Sequence, residues 1–128
     1  MAAIYKRAAP YAADALRLPV ADVDGALPFY ERVMGFRVVE RTDGPARTAV
    51  LARDGVRIGL AENGGDPSQE GCFFEVDDVD AARRELQANG WAADGAGVRA
   101  ERHGETTYRV FFVVAPDGLC YCLGQRQA

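Results

Sequence analysis

The sequence predicts an α+β fold in which two tandem βαβββ modules form a curved mixed sheet around a cavity. The chain has 128 residues with 48% hydrophobic and 27% charged side chains, which is typical of one globular domain. A five-residue motif beginning at position 20 (VADVD) is repeated at position 76 (VDDVD). In both copies a strand-like stretch comes before the motif and apolar residues at helical spacing come after it. The repeat therefore predicts two similar modules.

The first module is predicted over residues 14–62, after an N-terminal arm that shows no clear period. Residues 15–20 (ALRLPV) are strand-like, and Asp22 or Asp24 is suited to cap a helix that ends at Gly35. Residues 36–42 are rich in strand-forming side chains. Residues 48–53 and 56–61 flank Asp54 and Gly55, a pair typical of a tight β-hairpin.

The second module is predicted over residues 71–125, after a polar linker of residues 63–70. Residues 71–76 (GCFFEV) form its first strand, and Asp78 or Asp80 caps a helix that Asn89 and Gly90 end. Further strands are predicted over residues 98–103, 107–114 and 119–123. A four-stranded sheet with one covered face must pack its other face against something, so the two modules are expected to share a hollow within one domain, residues 1–128.

Composition and charge exclude several classes of protein. Fifteen basic and nineteen acidic side chains give a net charge of −4, and no run of Lys or Arg provides the basic surface of a nucleic-acid-binding protein. No apolar stretch approaches the roughly 18–20 residues of a membrane-spanning helix. Cys120 and Cys122 would lie about 7 Å apart along one strand, which is too far for a disulfide. With an odd number of cysteines, we expect a reducing, cytoplasmic location.

Four motifs occur in order along the chain: residues 18–24 (LPVADVD), 29–36 (FYERVMGF), 74–80 (FEVDDVD) and 116–118 (PDG). Together they resemble the vicinal oxygen chelate superfamily, which includes glyoxalase I, bleomycin-resistance proteins, extradiol dioxygenases and fosfomycin-resistance enzymes. The similarity covers residues 14–125. It implies paired βαβββ modules, and it implies a homodimer because modules of this family can be exchanged between subunits.

The resemblance also implies where a metal ion would be bound. Enzymes of this superfamily hold a divalent metal ion with His and Glu side chains, two from each module. The equivalent positions in this chain are Ala15, Gly59, Gly71 and Cys122. Methyl and hydrogen side chains donate no electron pair, and a single thiolate is a poor ligand set for a hard divalent ion. We therefore expect no metal, no cofactor and no catalytic residue.

Small residues at these positions leave room for an organic molecule, with Arg17 and Glu75 orienting it. An apolar hollow with a few placed polar groups is typical of a small-molecule site. Alternation along the strands predicts which side chains share the face of the hollow. They are Arg17, Arg57, Ala61, Phe73, Glu75 and Cys120, joined from the seventh strand by Arg109, Phe111 and Val113.

These residues also have structural interpretations. The glycines at the metal positions can be small because another strand passes close to them. A register shift of one residue would reverse the direction of Arg57, and Phe73 and Phe111 can belong to the core. The two cysteines of the last strand are interpreted as buried structural residues. His103, beside a glycine, is interpreted as a solvated residue at a strand end.

The predicted function is metal-free binding of a small molecule, similar to bleomycin-resistance proteins that sequester a drug. The acidic net charge weakly favours a cationic ligand. An alternative is a glyoxalase-like metal-dependent lyase, isomerase or dioxygenase with unorthodox ligands such as Glu62, Glu75, His103 or Cys122. A third hypothesis is a regulatory or partner-binding module that uses the sheet surface instead of the hollow.

Overall fold

The structure, a computed structural model, describes residues 3–10, 15–67, 70–92 and 97–127, and it confirms the α+β class. Within these ranges the helices are α1 (Val23–Pro28) and α2 (Val79–Ala88). The strands are β1 (Tyr5–Pro10), β2 (Leu18–Pro19), β3 (Arg37–Thr42), β4 (Thr48–Arg53), β5 (Val56–Ala61), β6 (Gly71–Val76), β7 (Arg99–His103), β8 (Thr106–Val114) and β9 (Cys120–Arg126).

The two modules have the same strand order, as the repeat predicts. Module 1 forms a four-stranded sheet in the order β2-β5-β4-β3, and module 2 forms the order β6-β9-β8-β7. The outer pairs β2–β5 and β6–β9 are parallel, and the remaining pairs within the modules are antiparallel. Strand β1 extends the second sheet to five strands by pairing with β6. The strands thus form two curved mixed sheets.

The N-terminal region differs from its prediction. Instead of an arm without regular structure, β1 pairs antiparallel with β6, with Tyr5 opposite Val76 and Ala9 opposite Phe73. The predicted strand over residues 15–20 is reduced to Leu18–Pro19, because residues 15 and 16 form a turn and Pro19 has no N–H to donate. The part of the first module that precedes residue 15 lies outside the described residues.

The predicted helix of module 1 is present, but its second half is wider than an α-helix. Asp22 is the N-cap residue of α1, and the chain continues after Pro28 as a π-helical turn, Phe29–Val33. The N–H of Met34 donates to the carbonyl of Phe29 at 3.2 Å, a bond that spans five residues. The turn directs the Tyr30 ring into the core, where it is fully buried.

The hairpin and the second helix confirm the local signals in the sequence. Asp54 and Gly55 have φ angles of 52° and 86°, so both occupy the left-handed region that a tight hairpin turn requires. The Asp78 carboxylate accepts a hydrogen bond from the N–H of Ala81 at 3.0 Å and caps α2.

One hydrophobic core joins the two modules. Ile58 and Leu60 of module 1 and Phe74 and Tyr121 of module 2 belong to the same buried cluster, which also takes in both helices. Each sheet therefore uses its helix-facing side for this shared core. The opposite side of each sheet, called its outer face below, points away from the core. The two outer faces consequently do not close on each other within one chain.

A buried ion pair also joins the modules. Arg53 of β4 donates to both carboxylate oxygens of Glu85 on α2, at 2.6 and 2.7 Å, and to the carbonyls of Met34 and Ala3. The Arg53 guanidinium lies over the Tyr5 ring at 4.2 Å from its centre.

The helices of the described residues were also compared with the length and hydropathy of a membrane-spanning helix, and none of them reaches both.

Candidate functional site

The outer face of module 2 carries most of the candidate site residues. Strand alternation and the β6–β9 register place Gly71, Phe73 and Glu75 on this face, with Cys120 opposite Gly71 and Cys122 opposite Phe73. The β8–β9 register adds the residues of β8 that face Cys120, Cys122, Gly124 and Arg126. They are Val114, Phe112, Val110 and Tyr108.

Three aromatic rings form a cluster on this face. The ring centres of Phe73, His103 and Tyr108 lie 5.1–5.2 Å from one another. Gly124 allows this packing, because a Cβ at that position would lie 2.7 Å from an edge carbon of the Phe73 ring. His103 also contacts Glu101, with Nε2 at 2.7 Å from Oε1. His103 is the last residue of β7 and is exposed, as the sequence interpretation expected, and its ring also packs against this cluster.

Arg7 of β1 holds the polar groups of this face in place. Its Nε donates to Glu75 at 2.8 Å, its Nη2 donates to the Tyr108 hydroxyl at 3.2 Å, and its guanidinium lies 5.3 Å from the centre of the Phe73 ring. Lys6 approaches the other oxygen of Glu75 at 3.8 Å. The hydrogen bond to Glu75 raises the pKa of Arg7 above its usual value. Glu75 is thus a buried carboxylate between two cations.

The cysteines are suited to packing and poorly suited to chemistry. Cys72 and Cys122 are buried and free of disulfide bonds. Burial raises the pKa of both thiols to about 12, so neither forms a thiolate near neutral pH. Cys120 is half-buried at the edge of the same face.

The outer face of module 1 is lined with small residues. Arg57, Gly59 and Ala61 alternate along β5, and Arg57 is exposed. The chain crosses directly over Gly59, whose N–H donates to the carbonyl of Ala15 at 2.8 Å. A Cβ on Gly59 would lie only 2.1 Å from the carbonyl oxygen of Leu16. Gly59 is therefore small because backbone approaches it, which was the structural interpretation of this glycine.

The remaining predicted residues divide between the two sides of the sheets. Arg17 is exposed next to β2, and Ala15 packs against the shared core. The prediction that Arg109, Phe111 and Val113 share the face of Phe73 is wrong. Phe111 and Val113 lie in the shared core, and Arg109 pairs with Asp80 of α2 at 2.8 Å. The register of β8 against β9 turns these odd-numbered residues towards the helices.

The sequence interpretation missed several residues of the outer face of module 2. Arg7 was missed because β1 was expected to be unstructured, and the others were missed because the facing of β7 and β8 had not been established. The sequence of β8 does not show which side faces the helices, because aromatic and aliphatic residues occur on both of its faces. The missed residues are Arg7, Arg99, Tyr108, Val110, Phe112 and Arg126.

A cavity of about 280 Å³ lies on the other side of the molecule, between the start of α1 and the turn before β9. Asp117 lines it and accepts hydrogen bonds from the Tyr30 hydroxyl at 2.8 Å and from the N–H of Leu119 at 2.9 Å. The Tyr30 hydroxyl also lies 2.6 Å from that of Tyr121. Burial raises the pKa of Asp117 above its usual value. A smaller cavity, of about 120 Å³, is lined by Trp91, Ala92, Phe112 and Val114.

Residues 12–121 match the sequence model of the Glyoxalase/Bleomycin resistance protein/Dioxygenase superfamily. The chain belongs to this superfamily. A comparison with curated proteins found no match. The superfamily assignment confirms the resemblance carried by the four motifs, and it applies to nearly the whole described fold.

Solved structures of the superfamily include drug-binding proteins. A bleomycin resistance determinant encoded on the transposon Tn5 is 26% identical, with 91% of this chain and 99% of that chain covered and a TM-score of 0.67. A bleomycin-binding protein complexed with bleomycin is 25% identical, with the same coverage and a TM-score of 0.64. TnmS3, an antibiotic-binding protein from Streptomyces sp. CB03234, is 23% identical, covering 91% and 97% of the two chains, with a TM-score of 0.63.

The residues at the metal positions of the superfamily enzymes do not fit a catalytic metal ion. Ala15 and Gly71 offer no donor atom, Gly59 has no space for a donor side chain, and Cys122 would supply a single soft sulfur to a hard divalent ion. Within the described ranges, no group of three or more His, Cys, Asp or Glu side chains could hold a metal ion. Glu62, proposed as an unorthodox ligand, instead accepts a hydrogen bond from the N–H of Val23.

Proposed function

We propose that this protein binds a small organic molecule without a metal ion and acts by sequestering it. The observation that carries the proposal is the outer face of module 2, where Phe73, Tyr108 and His103 pack together beside the paired Arg7 and Glu75. Aromatic and aliphatic surface with a few placed polar groups is the usual composition of a small-molecule site. The solved structure of a superfamily member with bleomycin supports this class of ligand.

Both modules contribute to the proposed site. Module 2 supplies Gly71, Phe73, Glu75, Cys120 and Cys122, and module 1 supplies the exposed Arg17 and Arg57. Phe73 and Tyr108 are nearly fully buried, so the apolar surface of this face that a ligand can desolvate is that of Phe112 and Val114. Stacking of a planar ligand on an aromatic ring adds about 0.5–1.5 kcal/mol beyond the buried area. Glu75 orients the ligand by means of the hydrogen bond that it shares with Arg7. Catalysis is not part of this proposal.

We propose that the complete site forms in a homodimer. The outer faces of the two modules lie on opposite sides of the shared core, so a single chain offers each half of the site separately. If module 1 of one copy faced module 2 of another, each dimer would have two equivalent sites and a closed two-fold arrangement. The free cysteines among the described residues favour a reducing compartment, and we propose the cytoplasm.

Calorimetric titration of the purified protein against a panel of planar antibiotics and aromatic metabolites, with a chelator present throughout, tests the proposal. We expect at least one compound to bind with one site per chain, and we expect Phe73→Leu to weaken that binding. The matched control is Phe29→Leu, which makes the same change next to Tyr30 on the helix side. Thermal unfolding of both variants verifies that they are folded.

Two results would contradict the proposal. One is the absence of binding by any compound of a broad panel. The other is elemental analysis of untagged protein that finds one divalent ion per chain, together with loss of all ligand binding when the ion is removed. The second result would favour the metal-dependent alternative.

A further inference from the structure

Arginine side chains cover the aromatic rings on the outer face of module 2. Arg7 lies over Phe73 at 5.3 Å from the ring centre, and Arg99 lies over Phe112 at 5.1 Å. Arg126 lies over Tyr108 at 6.0 Å. These guanidinium groups come from three different strands, β1, β7 and β9, and they converge on one surface. A guanidinium that lies over a ring can still donate from its N–H edge to another group. The edge of Arg7 already donates to Glu75 and Tyr108, so Arg99 and Arg126 are the groups that can donate to a ligand.

The carboxylates of this face are outnumbered by basic groups. Glu75 is buried and has both Lys6 and Arg7 as neighbours, at 3.8 and 2.8 Å. Arg99 lies 3.5 Å from Glu101. Arg126 is exposed, and no salt bridge of this residue occurs within the described part of the chain. Four basic side chains, of Lys6, Arg7, Arg99 and Arg126, therefore face the two carboxylates of Glu75 and Glu101, and the face carries a positive charge.

This local charge is opposite to that of the whole protein, whose net charge is −4. The acidic side chains collect elsewhere: Asp22 and Asp24 lie at the start of α1, and Asp78 and Asp80 lie at the start of α2. The helices lie on the other side of the sheets from the outer faces. Arg41, Arg47 and Arg109 pair with three of these aspartates, so the positive charge of the outer face of module 2 is a local feature that the net charge does not describe.

We infer that the outer face of module 2 selects planar organic anions, such as aromatic carboxylates, over neutral and cationic molecules of the same shape. This inference rests on the proposed function and specifies its ligand class. A carboxylate matches the fork of guanidinium N–H groups, and an aromatic ring of the ligand can stack against the oriented guanidinium planes. The inference differs from the cationic ligand that the acidic net charge suggested.

The test compares three probes of one shape, naphthoate, naphthamide and naphthylmethylammonium, by titration of the full chain at low salt. We expect naphthoate to bind at least about tenfold more tightly than naphthamide, because its carboxylate forms charge-assisted hydrogen bonds. The double variant Arg99→Gln with Arg126→Gln removes two of the three stacked cations and leaves Arg7 to neutralise Glu75. This variant is expected to lose the preference for naphthoate.

The control double variant is Arg84→Gln with Arg102→Gln. It changes the net charge by the same amount at exposed positions, one on α2 and one whose side chain is on the other face of β7. It is expected to keep the preference, and thermal unfolding monitors the folding of both double variants. Retention of the preference in Arg99→Gln with Arg126→Gln would overturn the inference.

Other outcomes separate this inference from the proposed function. Equal or tighter binding of naphthamide or naphthylmethylammonium overturns the inference, and so does the absence of binding by all three probes. If a panel compound still binds in a manner that Phe73→Leu weakens, the proposed function stands without the preference for anions. If no compound of the panel and none of the three probes binds, both the proposed function and this inference are wrong.

Discussion

The two outer faces differ in chemistry although the modules that form them have the same strand order. In module 1 the backbone of Leu16 covers Gly59, Ala61 lies beside it, and the charged side chains, such as Arg57, are exposed. In module 2 the corresponding face carries Phe73 and Tyr108, with polar groups fixed between them. The two modules therefore differ in the aromatic rings of their outer faces and in the polar groups bound to those rings.

This difference indicates that the strand order and the chemistry of the outer faces are specified by different residues. The strand order follows from hydrophobic alternation and from the caps and turns, which both modules share. The chemistry of the outer faces is set by residues outside the shared core, such as Phe73 and Tyr108, which form a second, smaller buried cluster in module 2. The superfamily fold therefore does not by itself determine a function, and the function must be argued from the outer faces.

The largest loss of stability that would distinguish the two modules is expected from a substitution at Gly59. Gly59→Ala places a Cβ 2.1 Å from the carbonyl oxygen of Leu16, so backbone must move. Overpacking of this kind costs about 1–3 kcal/mol, and we expect the upper part of that range because the obstructing atom cannot rotate away. Urea denaturation measures the loss in the free energy of unfolding.

The matched substitution in module 2 is Gly124→Ala. Its Cβ would lie 2.7 Å from a carbon of the Phe73 ring, which is a side chain that can shift. We expect a smaller loss of stability than for Gly59→Ala, together with weaker ligand binding because Phe73 is displaced. An equal loss of stability in both variants would contradict the distinction between Gly59, which is obstructed by backbone, and Gly124, which is obstructed by a side chain.

A smaller effect, on the pH dependence of stability, is expected at Asp117. Within the described residues this carboxyl group has no basic partner, whereas Glu75 is paired with both Lys6 and Arg7. Burial raises the pKa of Asp117 above 3.8, so the folded protein binds this proton more strongly than the unfolded chain. This stabilising contribution is present at low pH and is lost as pH rises through the folded pKa.

We therefore expect wild-type protein to lose more unfolding free energy than Asp117→Asn between about pH 4 and about pH 7. The asparagine has one oxygen, so it keeps one of the two hydrogen bonds that Asp117 accepts, from the Tyr30 hydroxyl or from the N–H of Leu119. The loss of the other bond lowers stability at every pH, whereas the titration changes only the slope of the pH profile. Urea denaturation across this pH range measures both proteins. Parallel pH profiles would refute the assignment of the raised pKa to Asp117.

Much of the fold could be predicted because its signals are local. Asp54 and Gly55 form the predicted turn, and Asp78 caps the predicted helix. Strand β1 could not be predicted in this way, because its pairing with β6 connects residues about seventy positions apart in the chain. The π-helical turn after Pro28 was missed for a similar reason, since burial of Tyr30 against Tyr121 is a tertiary contact.

The candidate site could be predicted only in part. Alternation placed Phe73 and Glu75 on one face because β6 has a clear boundary at Gly71. It failed for Phe111, because β8 is apolar on both faces and only its register against β9 decides which residues meet α2. Arg7 could be assigned to the site only once its strand was known.

Nuclear magnetic resonance of isotope-labelled protein, titrated with the tightest ligand from the panel in the presence of chelator, tests the central claim most directly. The account predicts chemical-shift changes at Phe73, Tyr108 and Glu75, with weaker changes at Arg57 where a second copy completes the site. Changes centred instead on Asp117 and the cavity at the start of α1 would contradict it.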